Sequence, residues 1–191
     1  MLGFPLGILS AAGAGVVSAG DFELIETQIL GSAQASITFS NLATYASTYR
    51  PLQIRATMRV SRAQQASDLG IRLNGDAGSN YAYHALNGNG SAVASFGATS
   101  ISYGYLGSIS GNTDTASSFS AVVIDLLDAY STTKNKTIRN LLAKPSSSPL
   151  NVGLHSSLWM NTSATSSVLI YDLASTNLMA GSRFSLYGIK G

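Results

Sequence analysis

The sequence predicts an all-β protein: an antiparallel β-sandwich, jelly-roll-like among sandwiches, with an extended arm at its N-terminal end. Three observations carry this. Apolar and polar residues alternate with period two through most of the chain, as in strands with one buried face. Short clusters of Gly, Asn, Ser and Pro separate these runs at near-regular spacing. The 191 residues are 45% hydrophobic and 10% charged, which supplies one substantial core but not two.

The alternation is plainest in LQIRATMRV at 52–60, where Leu52, Ile54, Ala56, Met58 and Val60 face one way. Gln53, Arg55, Thr57 and Arg59 face the other. Before it come DFELIETQIL (21–30) and ASITF (35–39). After it, LGIRLNGD places Leu69, Ile71 and Leu73 on one face and ends in an Asn74–Gly75 turn signal. Further strands are predicted at 81–86, 99–106, 119–128, 136–143, 152–160, 167–173 and 183–189. VVIDLLDAY also fits a helical turn, but its β-branched start and β-rich surroundings favour a strand. Nine to eleven such strands read as a sandwich over 21–191.

The stretch MLGFPLGILSAAGAGVVSAG, residues 1–20, contains no charged residue. A secretion leader needs a basic start and an unbroken apolar run, whereas the first Lys or Arg here is Arg50 and Pro5 and several glycines interrupt. A membrane span needs about 20 continuous apolar residues with anchors, but the large side chains stop at Leu9. The third reading is an assembly arm. Leu2, Phe4, Leu6, Ile8 and Leu9 are too few to offset the entropy of ordering the whole stretch by burial alone. Such an arm needs backbone pairing with a neighbour's sheet edge, or many simultaneous contacts.

Cysteine is absent, which excludes disulfides and Cys-ligated zinc. A net charge of +2 gives no sign of a nucleic-acid partner. The weakly charged, Ser/Thr/Gly-rich composition suits a surface covered by neighbours.

Several stretches resemble a family of small structural proteins of tailed bacteriophages, common in aquatic phages. They are LGILSAAGAG, FELIETQILGSAQASITF, IRLNGDAGSNYAYHALNGNGS, DLLDAYSTTKNKTIRNL and AGSRFSLYGIKG, in that order over most of the chain. The resemblance implies a β-sandwich carried on a virion assembled in the host cytoplasm, as a head decoration or cement protein or on the tail or fibres. It implies the major capsid protein or other virion proteins as partners, and a homotrimer. It brings no catalytic residues.

Residues capable of chemistry are sparse. His84 and His155 show no metal-ligand spacing, and no GxSxG elbow accompanies them. Asp125 and Asp128, three apart on a strand, point to opposite faces. Asn74, Asp76 and Asn80 resemble a thin calcium loop without its closing Glu, and read better as an Asx-rich turn. The expectation is a protein that is not an enzyme and holds no metal or cofactor. Tyr81, Tyr83, Tyr103, Tyr105 and Trp159 form either an aromatic platform for a host-surface glycan or ordinary core and interface packing. Arg50, Arg55, Arg59, Arg62 and Arg72 form either a basic interface or a solvated strand face. The leading expectation is a cement protein; the alternative is a receptor- or glycan-binding module of a fibre or tail component.

Overall fold

A computed structural model describes residues 21–145 and 151–190. Expectations that fall on residues 1–20, including Leu2, Phe4, Leu6, Ile8 and Leu9, lie outside the described residues. The described chain is an antiparallel β-sandwich. Its strands are β1 (Phe22–Ile29), β2 (Ser36–Phe39), β3 (Leu52–Met58), β4 (Ala66–Leu73), β5 (Tyr81–Gly88) and β6 (Val93–Ile101). They continue with β7 (Gly104–Ser110), β8 (Ser120–Leu127), β9 (Lys136–Lys144), β10 (Asn151–Trp159), β11 (Val168–Asp172) and β12 (Arg183–Ile189). A short 3₁₀ turn at Leu42–Tyr45 tucks Leu42 into the core.

Eight strands form one sheet, in the order β1-β12-β3-β8-β9-β10-β5-β6. Four form the other, in the order β2-β11-β4-β7. The jelly-roll subtype does not follow from this order, because sheets of eight and four depart from its eight strands in two sheets. The period-two pattern explains the packing. Leu52, Ile54 and Met58 from β3, Val122, Ile124 and Leu126 from β8, and Phe184 and Leu186 from β12 point inward. They meet Leu69, Ile71 and Leu73 of β4 and Val168 and Ile170 of β11.

The sequence joins 99–106 into one strand, whereas the chain breaks there: β6 ends at Ile101 and β7, in the other sheet, begins at Gly104. Ser100 takes a left-handed φ of 55° at this break. The alternation also places Arg59 outward, but β3 ends one residue earlier and Arg59 turns inward. Its guanidinium donates to the carbonyls of Asn112, Asp114, Thr115 and Ser118 at 2.7–3.1 Å, holding the β7–β8 connection in place. Asn74 and Gly75 both have positive φ, as an Asn–Gly turn requires. This turn carries the chain from one sheet to the other rather than closing a hairpin.

At the β1 end, Tyr49 lies flat on Gly188, where a Cβ would sit 2.3 Å from the ring. The Tyr49 hydroxyl donates to Glu23, which also accepts from Lys190. Both bonds hold the Glu23 carboxyl below its ordinary range, the Lys190 bond most strongly.

Candidate functional site

The outer face of the eight-stranded sheet carries an unpartnered apolar feature among the described residues. Strand register puts Val123 of β8, Leu141 of β9, Leu154 of β10 and Leu86 of β5 directly opposite one another. Leu141, Leu154 and Leu86 are each about half exposed. One step along the strands, Ala121, Ala143 and Val152 form a second row. At about 4.8 Å between strands, the first row spans roughly 14 Å. The local cause is β9 and β10: KTIRNLLAK and NVGLHSSLW put leucines on the face opposite their buried positions.

Two shallow depressions flank the rows. One, of about 390 Å³, lies among Arg55, Ala121, Val123, Leu141, Ala143 and Tyr187. The other, of about 400 Å³, lies among His84, Leu86, Leu127, Arg139 and Leu154. A polar network borders the apolar strip. Arg55 Nε donates to Gln53, Gln53 Nε2 donates to Asp125, and Arg139 pairs with Asp125 at 2.7 Å. The Arg55 guanidinium also lies over the rings of Phe22 and Tyr187, at 4.7 and 5.3 Å from their centroids. An apolar centre with a hydrogen-bonded rim is the anatomy of a protein-binding patch.

The basic residues do not form one stripe. Arg55 lies on the outer face of the large sheet, while Arg72 lies on the small sheet, over Tyr171 and bonded to the Ser102 carbonyl. Arg59 is buried in carbonyls, Arg62 reaches Ser67, and Arg50 is exposed beside the β3 entrance.

The aromatic residues divide in the same way. Tyr81 and Trp159 are buried and stack at 6.3 Å, and Trp159 Nε1 donates to Asp76. Tyr105 is buried too, with Tyr83 stacked on it at 4.8 Å. Burial pushes the Tyr81 hydroxyl up to about 12 and the Tyr105 hydroxyl higher still. Tyr103 falls in the turn before β7, outside strand alternation. No sugar ring can stack on a fully covered Trp159, so a five-residue platform is not present; Tyr83 and Tyr103 alone keep part of their surface. Phe96, on the strand the sequence reading missed, joins Tyr83 and Tyr105 edge-on.

The histidines lie on neighbouring strands but opposite faces, His84 outward and His155 inward. The Asn140 amide donates to the Leu106 carbonyl and to His155 Nδ1, so the ring proton sits on Nε2 and is donated to Asn87. Burial pushes the His155 imidazole down to about 4, Asp68 opposing weakly. Its neutral ring is a bonded core group. Asp76 accepts from Gly78 N, Asn80 and Trp159, so the Asn74–Asn80 loop is a saturated Asx turn. Among the described residues, no group of three His, Asp or Glu side chains is arranged to hold a metal.

Compared with known families and with curated proteins, the chain matches no family model and no curated sequence.

Proposed function

We propose that this chain is a structural protein of a phage virion, a decoration or cement protein that reinforces the head without catalysing a reaction. The observation that carries the reading is the continuous apolar row Val123–Leu141–Leu154–Leu86 with its polar rim, a surface built to be covered by protein. The resemblance to phage structural proteins supplies the setting: the major capsid protein or other virion proteins as partners, and a trimer as the unit. The sandwich would add contacts between shell subunits, and the arm would extend them across subunit boundaries. Each contact is modest, but linked contacts repeated over a closed shell raise the effective concentration of every other.

The glycan-binding alternative has less to rest on, because Tyr81, Tyr105 and Trp159 are buried. The deciding experiment is labelled localisation of the protein on intact particles. Uniform labelling of heads is the expected result. Labelling confined to one vertex or to the tail overturns the cement role.

A further inference from the structure

We propose that residues 2–9 of one copy add as a strand to the open edge of β6 in a second copy. This rests on reading residues 1–20 as an assembly arm and names the edge the arm takes.

The edges of the two sheets are not equivalent. β2 has 4 residues, β7 is almost wholly buried, and β1 carries Glu23 and Glu26 beside a register shift. Natural edges are guarded in such ways, by shortness, cover, charge or irregularity. β6 has none of these guards over its first seven residues. It is a 9-residue edge strand, VASFGATSI, without a charge or a proline, exposed along most of its length.

Hydrogen-bond parity shows what β6 offers. Asn89 N–H donates to the Ala92 carbonyl, so that pair closes the β5–β6 hairpin. Alternation then bonds Ala94, Phe96 and Ala98 to β5 and leaves the N–H and C=O of Val93, Ser95 and Gly97 aimed at the open side.

The arm matches this edge. Leu2, Phe4, Leu6 and Ile8 alternate with Gly3, Pro5 and Gly7. If the even residues bond to β6, the missing N–H of Pro5 faces away from the ladder, the position an edge proline requires. Antiparallel pairing opposite Val93, Ser95 and Gly97 puts the even side chains on the outer face. There they cover Val93, which is 74% exposed, and resume the apolar row beyond Ser95, which stands opposite Leu86.

The occupant comes from another copy because of reach. Asp21, bonded to Lys190, leaves from β1, at the far edge of the eight-stranded sheet from β6. Crossing the sheet takes seven strand spacings, about 33–34 Å. The eleven residues 10–20 reach about 36–40 Å only when taut, which leaves roughly 2–7 Å, about one or two residues, to round the sheet's edge and turn antiparallel to β6. Donor and acceptor at opposite edges make a head-to-tail contact, which closes into a ring when the rotation allows.

The test is mixing, with full chains throughout. Ser95→Pro removes an open-side donor and no β5 bond; Ser95→Lys guards the same edge if proline disturbs the strand. Phe4→Asp spoils the arm and leaves β6 intact. By analytical ultracentrifugation, the unaltered chain is expected to associate with rising concentration. Each variant alone loses that association with an unchanged circular dichroism spectrum and melting curve, and Phe4→Asp mixed with Ser95→Pro gives a heterodimer that grows no further. A monomeric unaltered chain, association of both folded Ser95 variants at the unaltered strength, or no heterodimer on mixing overturns the proposal. Association without virion binding overturns the virion reading and leaves this one standing. Virion binding by a chain that stays monomeric does the reverse.

Discussion

His155 enters the core with both ring nitrogens engaged, and this fixes how the fold answers acid. Its imidazole stays neutral in the folded chain down to about 4, against 6.5 when unfolded. The unfolded state therefore binds the extra proton first. The contribution of His155 to stability is constant above pH 6.5, falls as pH drops from 6.5 toward 4, and levels off below. The shift corresponds to about 3 kcal/mol, a loss that urea titrations across this window should show and that His155→Gln should largely remove. Trp159 gives a second expectation at this scale. Because it is 1% exposed and stacked on Tyr81, Trp159→Ala should cost about 3–5 kcal/mol of stability in chemical denaturation. Its burial was not legible in the sequence. Period two puts Trp159 on one face of its strand but does not say whether that face meets a second sheet or a ligand. Arg59 misled for a related reason: a strand's alternation ends where the strand ends, and four backbone carbonyls gathered by a distant loop leave no local signal.

Among the elements, those with one buried face were readable and those without were not. β3 and β12 alternate large apolar with mostly polar residues, and they, with β8, β9 and β10, lie close to where the sequence places them. β6 was missed because both of its faces are largely exposed, which removes the selection that writes alternation into a strand. The apolar outer rows were hidden as well. Leu141 and Leu154 lie on the outward phase of their strands, and only the register shows that they stand side by side. Gly188 tests the packing of β12 against the residues before β3. A Val there must displace the Tyr49 ring, so Gly188→Val should break the Tyr49–Glu23 bond. The expected loss is about 1–3 kcal/mol, seen as a lower urea midpoint at unchanged slope.

Over the whole molecule, the unequal sheets decide what is left to bind. Among the described residues, the four-stranded sheet covers one face of the larger sheet and leaves the opposite face, with its leucine row, uncovered. Leu141→Lys with Leu154→Lys removes that row without touching a buried side chain. The pair should leave the melting temperature within a few degrees, raise solubility and abolish binding to virions in a co-sedimentation assay. Retained binding would move the contact away from this face.

The position of β12, between β1 and β3, sets an order of events during synthesis. Residues 183–189 leave the ribosome after every other described strand, and until then β1 has nothing to pair with and β3 has a bare flank. The edge of the large sheet at β1 is therefore completed only once translation has passed β12.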